Sequence, residues 1–73
     1  MTIVDVRTEI AGTVWKIEAL VGATLGQDDP ILILESMKME IPVAAPESGT
    51  LLEILVAEGD TVTEGRVVAR IKA

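Results

Sequence analysis

The chain of 73 residues contains no cysteine and no histidine. Their absence excludes disulfide bonds, zinc sites built from cysteine and histidine, thiol nucleophiles and histidine general bases. Phenylalanine and tyrosine are also absent, and Trp15 is the sole aromatic residue. The apolar residues, 49% of the chain, are therefore almost all aliphatic. This composition favours a closely packed aliphatic β core over a ligand pocket.

The sequence also lacks clusters of basic residues and long apolar runs. Its net charge is −6, so binding to nucleic acid or to an anionic membrane surface is not expected. No apolar run approaches the roughly 18 residues of a membrane-spanning helix, and the basic and apolar segments of a signal peptide are missing. We therefore expect a cytoplasmic protein whose residues 1–73 form a single domain.

The two halves of the chain resemble each other. A shift of 37 residues places Gly12 on Gly49 and aligns the chain with itself without a gap. Six residues of the first half are identical to their partners, at positions 6, 12, 13, 17, 22 and 24, and the surrounding apolar positions correspond. Two copies are too few for a solenoid, which needs about three or more. We predict a duplicated β unit, with repeats at about 3–36 and 40–73, closed around a two-fold pseudo-axis.

Short apolar segments separated by turn residues predict an all-β sandwich or barrel without helices. The predicted strands cover residues 3–7, 13–19, 25, 31–35, 39–45, 50–56, 62 and 67–72. In the fourth strand, Ile31 and Ile33 share one face, and Leu32 and Leu34 share the other. The isoleucines align with a valine and an arginine of the second repeat. We therefore predict that the two leucines are the core residues of this strand.

The apolar spacing is irregular in the second strand. Val14 and Ile17 would lie on opposite faces of a regular strand. A β-bulge would bring both inward and leave Trp15 outside, whereas strict alternation would bury Trp15. The sixth strand repeats the pattern, with Leu52 in the place of Trp15. An exposed tryptophan would indicate a surface used for docking or self-association.

The segment ESMKME, residues 35–40, lies at the seam between the repeats, where a hairpin turn is expected. In it, Lys38 stands between Met37 and Met39, and apolar residues on both sides of a lysine are unusual in a turn. Side chains two residues apart on a strand point the same way. We therefore expect both methionines to pack against the protein surface, while Lys38 projects into water as an attachment site.

This motif, with Gly-Thr-Val/Leu and Gly-Asp-Thr-Val repeats on either side, resembles the biotin carboxyl carrier domain of the biotinyl/lipoyl attachment family. The resemblance covers essentially the whole chain. It implies a flattened barrel or sandwich of two four-stranded antiparallel sheets (a barrel-sandwich hybrid). It also maps the family's biotinylated lysine onto Lys38 and the flanking methionines onto Met37 and Met39.

The resemblance implies a carrier and not an enzyme, with no catalytic residue and no metal. A biotin protein ligase would join biotin to the Lys38 amine, and Glu35, Ser36 and Glu40 would be candidate contacts for that ligase. The biotin would carry carboxylate from a biotin carboxylase to a carboxyltransferase that acts on an acyl-CoA or a 2-oxo acid. Lysine and biotin together would reach about 14 Å. Such a domain is either a small free-standing carboxylase subunit or a module of a larger carboxylase.

The chain departs from the family pattern in two turns of the first repeat. Where the second repeat has the pair Gly59-Asp60, the first repeat has Gly22-Ala23. Asp28 stands where the second repeat has Gly65 and the family usually has glycine. A positive φ at Asp28 would cost a modest amount of stability. The gapless self-alignment also predicts that the thumb, which protrudes between strands two and three of some bacterial carriers, is absent.

Other functions account for less of the motif. Lipoyl domains of the same fold typically carry Asp-Lys-Ala at the turn. An unmodified acidic β-barrel that binds protein partners is an alternative of another class, in which Lys38 is incidental. A catalytic pair of Glu35 and Glu40 would need a cleft to tune it. The two acids at 28–29 fall short of a calcium loop. For these acids we favour solvated turn charges.

Overall fold

The computed structural model describes residues 2–73, which form eight strands and no helix. None of these residues belongs to a helix able to cross a membrane. The strands are β1 (Ile3–Arg7), β2 (Gly12–Ile17), β3 (Thr24–Leu25), β4 (Pro30–Ser36), β5 (Met39–Ala44), β6 (Gly49–Ile54), β7 (Thr61–Val62) and β8 (Val67–Lys72). They form two four-stranded antiparallel sheets, β1-β8-β6-β3 and β5-β4-β2-β7. The predicted fold class is confirmed.

Each sheet takes two strands from each half of the chain. Exchanging the halves, so that β1 becomes β5 and β8 becomes β4, converts one sheet order into the other. The hydrogen bonds follow the same rule: Gly22 N donates to Leu51 O at 2.7 Å, and Gly59 N donates to Val14 O at 2.7 Å. The predicted two-fold pseudo-symmetry is thus present in the backbone.

A β-bulge interrupts β2 and its repeat β6 at equivalent positions. The register shifts between Val14 and Lys16 in β2, and between Leu51 and Glu53 in β6. The residue at the centre of the first bulge, Trp15, is 48% exposed, while Val14 is buried. The bulge prediction is confirmed, and strict alternation with a buried tryptophan is wrong.

A second kind of bulge lies at the start of β4. The register with β5 shifts between Pro30 and Leu32, so that Ile31 and Leu32 are both fully buried. The prediction that Leu32 and Leu34 belong to the core is confirmed. The prediction that Ile31 lies on the opposite face is wrong, because the bulge turns consecutive side chains to the same side.

Strand β2 ends at Ile17, two residues before its predicted end at residue 19. The amides of Glu18 and Ala19 both donate to the carbonyl oxygen of Ile31, at 2.9 and 3.0 Å. Two consecutive amides on one acceptor end the regular ladder, and the chain turns there. The equivalent strand of the second half is shortened in the same way, since β6 ends at Ile54, two residues before its predicted end at residue 56.

The core between the sheets is aliphatic, as the composition predicts. Its buried members are Val6, Val14, Ala19, Leu25, Ile31, Leu32, Leu34, Val43, Ala45, Leu51, Val56, Val62, Val68, Ala69 and Ile71. Thr8 is buried with them, and its hydroxyl donates to the carbonyl oxygen of Thr63 at 2.9 Å. The polar group of Thr8 is therefore satisfied inside an otherwise apolar interior.

The four edge strands are each protected against pairing with another chain. Strands β3 and β7 are only two residues long. Strand β1 carries the charged residues Asp5 and Arg7, and β5 carries Pro42, which has no amide proton to offer. The sandwich therefore presents no long, flat and apolar edge among its described residues.

The β4–β5 hairpin lies at one end of the elongated sandwich, which measures 36 × 19 × 18 Å. Ser36 pairs with Met39 across this hairpin. The equivalent place in the other half is occupied by the paired termini, where Ala73 N donates to Thr2 O at 2.9 Å. Because the pseudo-axis exchanges the two ends, the hairpin and the termini lie at opposite ends of the molecule.

The bulge in β6 predicts very different costs for truncating two adjacent leucines. Leu51 is fully buried and Leu52 is 38% exposed. We expect Leu51→Ala to lower the free energy of unfolding by about 3 kcal/mol and Leu52→Ala to lower it by less than about 1 kcal/mol. Urea denaturation with equal m-values would measure both. A larger loss for Leu52→Ala would contradict the bulge.

Candidate functional site

Lys38 occupies a two-residue turn between β4 and β5. Met37 has φ 52° and Lys38 has φ 65°. Positive φ at both central residues is the signature of a type I′ turn, which matches the twist of the flanking strands and usually contains Asn-Gly. A side chain with a Cβ is strained in this region, on the order of 1 kcal/mol for each residue. The paired strands therefore hold Lys38 in a conformation that its own sequence does not favour.

Strand β2 packs closely against the base of this turn because Gly12 has no side chain. A Cβ at position 12 would lie 2.7 Å from the backbone oxygen of Glu35 and 3.4 Å from the Cβ of Ser36. Gly12 is thus a supporting residue of the site that our sequence analysis did not identify as one. The sequence contains an indication of this role, because Gly12 is identical to its repeat partner Gly49.

The side chains at the turn are open to solvent. Lys38 is exposed, Met37 is 92% exposed and Met39 is 61% exposed. The prediction that both methionines pack against the protein surface is therefore wrong. Side chains two residues apart point the same way only within a strand, and Met37 lies in the turn, where the backbone has left the strand conformation. Lys38 forms no salt bridge with the residues that the structure describes.

Two carboxylates face each other at the base of the hairpin. Glu35 and Glu40 are directly opposite in the β4–β5 register, and both are exposed. Like charges in this arrangement are destabilising. No salt bridge within residues 2–73 neutralises either of them. The pair lies on the solvent side of the sheet, because the neighbouring Leu34 points into the core.

The acidic residues at 28–29 serve the turn that contains them. Asp28 has φ 73°, close to the φ of 84° at its repeat partner Gly65. The Oδ2 of Asp29 accepts a hydrogen bond from Gly26 N at 2.8 Å. Within residues 2–73, no three acidic side chains are grouped as a metal site would require.

A groove of about 360 Å³ lies between the edge strands β1 and β5. Its floor is apolar, with Val6, Leu34 and Val43, and its rim includes Asp5 and Arg7. None of the turn residues 36–40 lines it. The groove therefore does not form a pocket around Lys38.

The connection between β2 and β3 spans residues 18–23. Its amide at Gly22 bonds to β6, and Ala23 N donates to Leu20 O at 3.0 Å. This short turn stays on the sandwich, and no thumb protrudes from it. Leu20 and Val21 are 79% and 60% exposed on its outer side.

Trp15 lies in the same sheet as the hairpin. Its bulge falls between the pairs Val14–Leu34 and Lys16–Ile33. Strand β4 ends at Ser36, two to three residues further along, which corresponds to about 7–10 Å at the rise of a strand, and Lys38 follows in the turn. The tertiary structure thus brings Trp15 and Lys38, which are distant in sequence, to one half of the molecule.

The comparisons with known proteins agree with this geometry. Residues 1–71 match the biotin/lipoyl family described as "Biotin-requiring enzyme". The chain is 41% identical over 66 residues to the biotin/lipoyl attachment protein of Bacillus subtilis (strain 168), covering 90% of each. It is 40% identical over 67 residues to the biotinylated protein TB7.3 homolog of Mycobacterium leprae (strain TN), covering 92% of this chain and 94% of that protein.

A solved structure is similar over nearly the whole fold. The urea carboxylase of Kluyveromyces lactis superposes with a TM-score of 0.94 and 36% sequence identity. The match covers 99% of this chain and 6% of that much longer one. The chain therefore belongs to the biotin/lipoyl attachment family and is a carrier domain of the kind found in biotin-dependent carboxylases, without a catalytic role of its own.

Proposed function

We propose that this chain is a biotin carboxyl carrier and that Lys38 is its site of covalent biotin attachment. One observation carries the proposal: Lys38 stands exposed on a two-residue turn at the end of a rigid sandwich, between two exposed methionines. Its amine has no salt-bridge partner among the described residues, so it is available to an incoming enzyme.

The chemistry required of this chain is a single acyl transfer. In an enzyme that holds biotinyl-adenylate, the deprotonated Nζ of Lys38 attacks the acyl carbon. An amide bond forms, the bond from the acyl carbon to the phosphate oxygen breaks, and AMP leaves with its electron pair. The amine proton passes to solvent. An exposed lysine on a turn fits this reaction, because the enzyme can surround the amine without unfolding the domain.

The bound group would supply a ureido nitrogen able to carry a carboxylate. This chain would supply a rigid support and a swinging arm of about 14 Å. The proposed partners are a biotin protein ligase, a biotin carboxylase and a carboxyltransferase that acts on an acyl-CoA or a 2-oxo acid. Similarity to a segment of a urea carboxylase supports a place beside carboxylase domains.

The residues next to Lys38 support biotin over lipoate. Met37 and Met39 flank the lysine, whereas lipoyl domains typically carry aspartate and alanine at these two positions. Both methionines are exposed, so an enzyme that approaches the amine would meet them. We infer that they form a flexible apolar collar around the modified lysine.

The first test is the mass of the intact protein after expression with a biotin protein ligase. We expect the wild-type chain to gain one biotin, and Lys38→Arg and Lys38→Ala to gain none while keeping the wild-type melting temperature. Expression with a lipoyl ligase is the control. A lipoyl increment alone, or biotin on either Lys38 variant, would refute the assignment.

The collar hypothesis predicts a kinetic effect without a structural one. Because Met37 and Met39 are exposed, Met37→Leu and Met39→Leu should change the melting temperature by less than about 2 °C. They should slow biotinylation or carboxyl transfer by about threefold to tenfold, since leucine lacks the flexibility and the polarisable sulfur of methionine. Large destabilisation with unchanged rates would instead indicate a packing role.

The turn geometry predicts that one substitution stabilises the protein. Asparagine tolerates positive φ better than methionine, so Met37→Asn should raise the free energy of unfolding by about 0.5–1 kcal/mol. Met39→Asn is the matched control. Met39 lies in β5 without a positive φ, and asparagine is a poor strand residue, so this variant should be neutral or less stable. Equal effects in urea denaturation would contradict strain at position 37.

A further inference from the structure

The outer faces of the two sheets differ at equivalent positions. On the β1-β8-β6-β3 sheet, Asp5, Arg70 and Glu53 stand side by side on three neighbouring strands. Arg70 Nε donates to Asp5 Oδ1 at 3.0 Å, and Arg70 Nη1 donates to Glu53 Oε1 at 2.6 Å. The hydrogen bond with Glu53, and then that with Asp5, raises the pKa of Arg70. The charges of this row are thus paired with one another on a polar, solvent-facing surface.

On the β5-β4-β2-β7 sheet, the same three positions hold Pro42, Ile33 and Lys16. Trp15, in the bulge beside Lys16, is 48% exposed. Pro42 is exposed and Ile33 is half-buried. The register places Ile33 and Pro42 side by side, and the bulge adds Trp15 next to them, so three apolar residues lie close together across β2, β4 and β5. We call Trp15, Ile33 and Pro42 the Trp15 strip.

The Trp15 strip is more than scattered apolar exposure. Single exposed apolar residues are normal, and Pro42 has the separate use of protecting the edge of β5. A strip that contains the sole tryptophan of the chain, with Ile33 and Pro42 at the positions where the other sheet carries Arg70 and Asp5, is not required for folding. Tryptophan is enriched at the centres of protein interfaces, where a large apolar area with one polar group can be buried.

The strip continues into the carboxylate pair and the modified lysine. Along β4 and β5, the row of Ile33 and Pro42 is followed on the outer face by Glu35 and Glu40, and then by the turn with Lys38. Along this direction the surface consists of an apolar patch, then two carboxylates that form no salt bridge with the described residues, and then a lysine. A complementary protein surface would have an apolar centre and arginine or lysine side chains on the side nearest to Lys38.

The reach of unmodified lysine identifies the partner for this surface. The Nζ of a bare lysine lies at most about 6 Å from its Cα, so an enzyme that acylates it must press against the hairpin and the adjoining sheet. A partner that meets the biotinylated arm works at about 14 Å and can remain further away. An enzyme body against the hairpin would extend over the Trp15 strip, which lies about 7–10 Å from the end of β4.

We propose that the Trp15 strip, together with Glu35 and Glu40, is the docking surface for the enzyme that acylates Lys38. This inference rests on the function proposed above. The occupant is a protein surface with an apolar patch bordered by arginine or lysine. Trp15 acts here in recognition and not in catalysis, and the two glutamates steer the enzyme's basic side chains toward the turn.

The test is steady-state kinetics of a purified biotin protein ligase with ATP, biotin and variants of the full chain. Trp15→Ala should raise the KM for the carrier about tenfold and leave kcat nearly unchanged. Leu52→Ala is the matched control, because Leu52 occupies the equivalent bulge on the other sheet and is similarly exposed. Its KM should stay within about twofold of the wild-type value.

The charged part of the surface has its own pair of variants. Glu35→Gln and Glu40→Gln should each raise the KM several-fold at low salt and weaken its dependence on ionic strength. Glu47→Gln removes the same charge from an exposed turn outside the strip and should change neither quantity. An equal effect of Glu47→Gln would show that only net charge matters and would overturn the assignment of the pair.

A second variant keeps the strip testable if Trp15→Ala folds poorly. The combined substitutions Pro42→Asp, Ile33→Arg and Lys16→Glu transfer the ionic row of the other sheet onto this one. Because that row is compatible with the fold at equivalent positions, the variant should remain folded. It should lose recognition by the ligase, with an increase in KM of about tenfold or more.

Several results would overturn the proposal. One is an unchanged KM for Trp15→Ala and for the triple variant while wild-type Lys38 is biotinylated normally. Another is self-association of the wild-type chain in sedimentation that Trp15→Ala abolishes, since the strip would then belong to a second copy. A third is normal biotinylation of Trp15→Ala with impaired carboxyl transfer afterwards. If wild-type Lys38 gains no biotin, the proposed function itself fails.

Discussion

Backbone pairing between the two halves of the chain is the constraint on which the rest of the structure depends. Four of the six strand pairs, β1–β8, β2–β7, β3–β6 and β4–β5, join one half to the other. Separating the halves would break these ladders and expose the shared aliphatic core to water. A domain of this size buries only about 60% of its unfolded surface and has little stability to spare. The halves must therefore fold together.

The same pairing explains how a strained turn can present Lys38. A Met-Lys turn with two positive φ values would not persist in an isolated hairpin of this sequence. Here β4 is held on its other side by β2, and the missing side chain of Gly12 lets the two backbones approach. The support comes from backbone contacts, so the side chains of the turn remain free to contact an enzyme. Rigidity and accessibility thus coexist at one site.

The fold is nearly symmetric, but its surface is not. Equivalent bulges place Trp15 on one outer face and Leu52 on the other. The positions that hold an ionic row on one face hold Pro42, Ile33 and Lys16 on the other. Duplicated backbone positions carry the same requirement for an inward side chain, which preserves the core pattern in both repeats. Outward positions carry no such requirement. The outward residues that differ between the two faces are therefore the ones most free to acquire a role in recognition.

The sequence by itself determined the eight strands, the duplication, the aliphatic core of Leu32 and Leu34 and the position of Lys38 in a turn. These features follow from local apolar spacing and turn residues, which the chain carries without regard to its partners. Only the tertiary structure decided that Trp15 points outward, that Ile31 is buried and that Met37 and Met39 are exposed. Bulges and turn types depend on which distant strand lies alongside, and a repeating pattern of apolar residues does not record that pairing. For the same reason, the proximity of Trp15 to the hairpin emerged only when the strands were assembled into one sheet.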